Sequence, residues 1–271
     1  MVLSTDWENA IEAFMREQRA GGKPKTTCDA RRQHMMHMAK RVREASPWDI
    51  SPETLREYMA DQTWAIETRR NRRTTFVQFW AWAVYAGHTS NNIAAELPKV
   101  KVIQGVARPA PDRVYHEALM RAGHRERVML RLAAEVGMRR GEVAVVHTRD
   151  VSEDLVGHTL LVHGKGQRER MVPLPKSLGR ELSEWEPGFL FPGNDHGHLS
   201  PRYVGKLLAE LLPEGWTMHA LRHRFATRLY ALRSDLLMVQ EALGHSSPTT
   251  TRRYIQYDRD RMRAAMEELA Q

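Results

Sequence analysis

The chain has 271 residues, 42% of them hydrophobic and 27% charged, enough for a substantial core and unlike a fibrous, disordered or small disulfide-stapled protein. Lys and Arg number 41 against 33 Asp and Glu, a formal +8, with Arg ahead of Lys about four to one. That balance points to a polyanionic partner, nucleic acid before membrane surface, because the guanidinium fork suits phosphate. A single cysteine, Cys28, excludes an intramolecular disulfide, and the sequence shows neither a signal peptide nor a bilayer-spanning apolar run, so a soluble, cytoplasmic protein is expected.

The first hundred residues read as helices. Thr5 and Glu8 form a capping pair ahead of Trp7, Ile11, Phe14 and Met15, and Gly21-Gly22 closes that segment. A second helix is expected from about Thr27 through Met35, Met38 and Val42, ending before Pro47. Ser51-Pro52 pairs an N-cap with proline at the first helical position and opens a third through Leu55, Tyr58 and Met59. A fourth begins near Thr68 and has unlike halves: Arg69, Arg70, Arg72 and Arg73, then apolar Phe76, Val77, Phe79, Trp80, Val84 and Tyr85. The apolar half packs. The four arginines form either a solvated face or a phosphate-contacting one, and they are the candidate DNA-binding residues. His34 and His37 share a helix face, but no third ligand of suitable spacing accompanies them, so no metal is expected.

Residues 98–111 mix proline, glycine and positive charge without periodicity, a linker signature that divides the chain into domains 1–97 and 112–271. The second domain opens with helices around Val114–Arg121 and Arg125–Val136. A strand from Thr159 to His163, the turn Gly164-Lys165-Gly166 and a strand from Gln167 to Leu174 follow as a hairpin. Helices resume at Ser200-Pro201, again an N-cap with proline, and continue to the end.

Four short segments of this domain concentrate Arg, His, Lys and Tyr: Gly137-Met138-Arg139-Arg140-Gly141-Glu142, the hairpin from Gly164 to Leu174, His219-Ala220-Leu221-Arg222-His223, and Leu243-Gly244-His245 followed by Thr249 to Tyr254. Transfer of a phosphodiester to a protein hydroxyl calls for such a set. Two guanidiniums neutralise the extra charge on the non-bridging oxygens of a pentacoordinate phosphorane without a metal. A Tyr is a sensible nucleophile, a His accepts its proton, and a Lys protonates the departing sugar oxygen.

Taken in order, the four segments resemble the catalytic motifs of the tyrosine recombinase (phage integrase) family across the whole second domain. On that resemblance Arg139 is the first catalytic arginine, with Met138 where the family has Leu, and Glu142 is the acidic residue that braces it. Lys165 matches the hairpin lysine, His219 and Arg222 the His-x-x-Arg pair, and His245 the Leu-Gly-His residue. Tyr254 is the nucleophile, and Tyr257, one turn on, fits the family interval from His245 less well. In the first domain, Asn91-Asn92-Ile93-Ala94 and Pro98-Lys99 resemble, less specifically, the end of the family's helical core-DNA-binding domain.

The resemblance implies a mainly α fold with a small antiparallel β-sheet, its two domains closing as a clamp around duplex DNA. It implies a 3′-phosphotyrosyl intermediate, no cofactor, and a homotetramer working on two duplexes with specific core sites. A carboxyl-terminal helix over Asp258 to Leu269 would dock on a neighbouring subunit. An accessory DNA-bending or directionality factor is a further partner it admits. Phage or prophage integration and excision is the expected role, on short core sites without arm-type flanking DNA, because the chain opens almost directly on the core-binding helices. A Xer-like resolvase of chromosome or plasmid dimers stays open. A type IB topoisomerase-like enzyme and a catalytically inactive DNA-binding protein are more distant alternatives.

Overall fold

The computed structural model describes residues 3–101, 108–164, 168–244 and 266–270. They belong to two compact units, Met1–Gln104 and Gly105–Gln271, divided within the 98–111 stretch.

The first unit is helical: α1 (Thr5–Ala20), α2 (Lys25–Ala39), α3 (Pro52–Ala60) and α4 (Ile66–Tyr85). Ser4, not Thr5, caps α1. Its backbone is extended and its hydroxyl accepts the Trp7 amide, which places Thr5 inside the first turn. α2 ends at Ala39, well short of Pro47, because the Lys40 and Arg41 amides turn back onto the Met36 and Met38 carbonyls at 3.2 and 2.8 Å. The chain released there makes a 3₁₀ turn, Pro47–Asp49, that stacks Trp48 between Phe79 and His88, ring centroids 5.8 and 4.6 Å away. Ser51 caps α3 as its sequence predicts, accepting the Thr54 amide at 3.0 Å. Trp7, Phe14, Met35, Leu55, Phe76, Phe79 and Trp80 are buried together, each aromatic or aliphatic side chain contributing about 1.5–3 kcal/mol. Cys28 lies in α2, 5% exposed, its Sγ 3.7 Å from the Lys23 carbonyl.

The second unit starts with α5 (Asp112–Arg121), α6 (His124–Ala134) and the single-turn α7 (Arg140–Ala144). A three-stranded antiparallel sheet follows in the order β1 (Val151–Glu153), β2 (His158–His163), β3 (Glu169–Pro173), and then α8 (Lys176–Ser183). A two-residue ribbon, β4 (Pro192–Gly193) with β5 (Gly197–His198), leads to α9 (Pro201–Leu211), α10 (Met218–Arg233) and α11 (Leu236–Leu243). The hairpin and the Ser200 cap match expectation, whereas β1, α7 and α8 were not foreseen. Within the sheet Leu160 opposes Val172 and Val162 opposes Arg170; the three apolar side chains join the core of the unit. α8 lies close on β2 at Gly179, where a Cβ would fall 2.6 Å from that of His158. Arg224 of α10 pairs with Asp112 at 2.8 Å and covers the Tyr115 ring at 4.5 Å, tying α10 to α5. The architecture is mainly α with a small antiparallel sheet. Among the described residues, no helix is long and apolar enough to cross a membrane.

Candidate active site

The site begins where α6 gives out. Gly137 adopts φ +74, and a Cβ there would sit 2.3 Å from Cδ1 of Phe225 on α10, so only glycine admits both the turn and the approach. Two residues on, Arg139 caps α7. The Glu142 carboxylate reaches back to accept the Arg139 amide at 2.9 Å, one half of a capping box, and takes the Arg139 guanidinium on its other oxygen at 2.6 Å. The spacing Arg-x-x-Glu is thus a helix-start device that also seats a cation.

Arg222 arrives from the first turns of α10 with 1% of its surface exposed. It donates to the Gly137 carbonyl and, at 2.7 Å, to the Leu243 carbonyl, with Nη1 3.7 Å from Glu142. Arg170 of β3 approaches Glu142 from the sheet with two bonds of 3.0 and 2.9 Å, and its Nε donates to the Ala242 carbonyl at 2.9 Å. One carboxylate, 3% exposed, therefore faces three guanidiniums. Burial pushes the Glu142 carboxyl up, but Arg170, then the Arg139 amide and guanidinium, more than offset it and hold the group below the usual carboxylate range. The last carbonyls of α11 carry the negative end of its dipole and add to the acceptor side. The surplus of positive charge suits a phosphate.

Arg139, Glu142 and Arg222 line a cleft of about 1080 Å³ together with His219, His163, Arg140, Arg202 and Lys206. His219 is exposed in the first turn of α10, its ring 4.2 Å from that of His223. His163 stands between Asp150 at 3.1 Å and Glu169 at 3.0 Å, and the bond to Asp150 leads in raising its pKa above the ordinary histidine value. The cleft therefore brings together Arg139, Glu142, His219 and Arg222. Lys165, His245, Tyr254 and Tyr257 lie outside the described residues, as does the stretch from Asp258 to 265 where a carboxyl-terminal helix is expected; in the helical residues 266–269, Met266 and Leu269 are exposed. Gly164, which precedes Lys165, has its Cβ position 3.8 Å from Glu142, and Gly244, which precedes His245, has its own 3.1 Å from Arg170.

Sequence reasoning passed over Arg170 and the Asp150–His163–Glu169 group. The signal for Arg170 was there: Val172, two residues on in the same strand, is buried, so an arginine on that face of an alternating strand needs a buried partner. Among the described residues no group of three His, Cys, Asp or Glu could hold a metal ion. His34 bonds Thr75 at 2.8 Å and His37 bonds the Tyr58 hydroxyl at 2.7 Å.

The four arginines of α4 have distinct surroundings. Arg69 donates to the Met59 and Gln62 carbonyls, and Arg73 donates twice to the Leu97 carbonyl, at 3.0 and 2.7 Å. Arg72 lies over the Trp64 ring at 4.2 Å. Arg70 is exposed, 3.5 Å from Glu67.

Comparison with known proteins gives a family match, two relatives and a structural neighbour. The sequence profile described as the Phage integrase family matches residues 113–261. A tyrosine recombinase XerC of Methylobacterium nodulans is 30% identical over 301 aligned positions, covering 96% of this chain and 86% of that protein. The XerC of Methylobacterium sp. (strain 4-46) is 36% identical over 203 positions, 66% of this chain and 60% of that one. Among solved structures, a lambda integrase dimer bound to a COC′ core site has the same fold, with a TM-score of 0.73 over 93% of this chain and 77% of that one at 18% identity.

Proposed function

The chain belongs to the phage integrase family, the site-specific tyrosine recombinases, and we propose that it cuts and rejoins duplex DNA at paired core sites with Tyr254 as nucleophile. The observation that carries this is the pair Arg139 and Arg222, which line one cleft with His219 and share one buried carboxylate. Two fixed guanidiniums neutralise the non-bridging oxygens as a phosphorane forms, where an electrostatic contact counts most. The Tyr254 oxygen attacks phosphorus, its proton passes to His219, and the sugar 5′ oxygen leaves with a proton from Lys165. His245 steadies a phosphoryl oxygen. A 5′-hydroxyl from the partner duplex then reverses the step and releases the tyrosine, so the phosphodiester bond energy is conserved.

The protein works in the cytoplasm at the nucleoid, as a homotetramer on two duplexes held by both units, for phage or prophage integration and excision. Dimer resolution is the second reading, favoured by the XerC names of its relatives. A nicked suicide substrate tests the chemistry. The protein is expected to become covalently joined to DNA, and Tyr254→Phe to bind the same DNA without an adduct. An adduct that persists in Tyr254→Phe and vanishes in Tyr257→Phe would overturn the assignment.

A further inference from the structure

Arg170 belongs to none of the motif positions, yet its side chain is 11% exposed and every nitrogen of its guanidinium is engaged. It occupies an inward position of β3 opposite Val162, grips both oxygens of Glu142, and donates to the Ala242 carbonyl at the end of α11. Gly244 makes room for it: a Cβ there would lie 3.1 Å from Cδ and Nη1 of Arg170, and φ +62 disfavours any side chain. One planar fork thus joins the sheet to α7 and α11. A lysine could reach only one of those acceptors at a time.

We propose that Arg170 is a positioning residue of the cleavage reaction: by bracing Glu142 and the last turn of α11 together, it sets the carboxylate and the Leu243 carbonyl on which Arg139 and Arg222 both rest. This inference rests on the recombinase reading. Among the described residues, the charged groups that face Glu142 are Arg139 at the start of α7, Arg170 on β3 and Arg222 on α10, while α11 offers these arginines its last carbonyls. Of the two histidines that line the cleft, His163 is taken up by Asp150 and Glu169, and His219 stands in the first turn of α10. Arg170 leads the effects that keep the Glu142 carboxyl low, so without it burial raises that carboxyl.

The test compares wild type, Arg170→Gln and Arg170→Lys on the suicide substrate at saturating DNA, with single-site affinity and thermal unfolding measured alongside. Arg170→Gln is expected to bind DNA within about twofold of wild type, to cleave at least about tenfold more slowly, and to move the acid limb of the cleavage profile to higher pH. Arg170→Lys should recover part of the rate and shift the limb less. If Arg170→Gln does not fold, the limb of Arg170→Lys against wild type decides in the same way. Cleavage that falls only with the folded fraction, on an unmoved acid limb, overturns the inference, as does a folded variant of wild-type rate. A wild-type protein that forms no adduct sinks the recombinase reading and this inference with it, whereas an active wild type matched by its variants sinks this inference alone.

Discussion

Arg139 and Arg222 donate to one and the same oxygen, the Leu243 carbonyl, at 3.3 and 2.7 Å. Two like charges tolerate that closeness because Glu142 lies between them, 2.6 Å from the first and 3.7 Å from the second. Protein contacts alone hold the two guanidiniums side by side, so the reaction does not have to bring the charges together.

Glu142→Gln removes the single anion of this group and leaves Arg170 and Arg222 as buried cations. Breaking such a pair costs about 3–5 kcal/mol. Denaturant unfolding should show that loss together with lost adduct formation; stability within about 1 kcal/mol of wild type would show that the charges find other compensation.

Arg139→Ala and Arg222→Ala should each slow cleavage by about a hundredfold or more, and they should differ in stability. The Arg139 side chain is 40% exposed, the Arg222 side chain 2%. Loss of Arg222 strands the Gly137 carbonyl, at about 1–3 kcal/mol, and leaves the Leu243 carbonyl only the longer bond from Arg139; loss of Arg139 costs far less. Cleavage by wild type should survive EDTA, because the guanidiniums carry the charge stabilisation. A strict divalent-metal requirement would contradict the mechanism.

The α4 arginines separate by experiment in the same way. Arg70→Gln should leave unfolding unchanged and lower the log–log salt slope of DNA binding by about 0.9, the value of one phosphate contact. Arg73→Gln gives up both bonds to Leu97 and should destabilise the first unit. An unchanged slope for Arg70→Gln returns that residue to a solvated face.

Acid should loosen the first unit early. Burial, then the Arg72 charge, lowers His34 and His37 from 6.5 to about 4, so both are neutral when folded. A depressed folded-state pKa means the unfolded chain binds the protons more readily. Stability is then fully present above pH 6.5 and declines as pH falls from 6.5 towards 4. Partial exposure limits the combined effect to about 1–3 kcal/mol. His34→Gln/His37→Gln should flatten the unfolding free energy over that window; an equal slope in the double variant would exclude these histidines as its source.

Signals that act within one turn of chain were legible in the sequence. Ser51-Pro52 and Ser200-Pro201 start helices because cap and proline act locally. Arg139 and Glu142 were legible for the same reason, since three residues suffice to close their contact. The end of α2 was not, because no proline or glycine stops it: the chain turns so that Trp48 can reach Phe79 and His88. β1, three residues long, has no periodicity to detect and exists through its pairing with β2. Thr5 and Ser4 are both good caps, and the choice fell to the residue whose hydroxyl met the Trp7 amide. Arg170 finds Glu142 across 28 positions of chain, a pairing visible only once the sheet has formed.

Cys28, buried in α2, also makes the molecule a convenient subject for site-directed labelling. As the chain's single thiol, shielded from reagents in the folded state, it leaves an introduced surface cysteine as the dominant point of attachment for a maleimide dye. One such cysteine on each unit would carry a donor and an acceptor. Energy transfer between them would then follow how the distance between the two units changes when DNA is added.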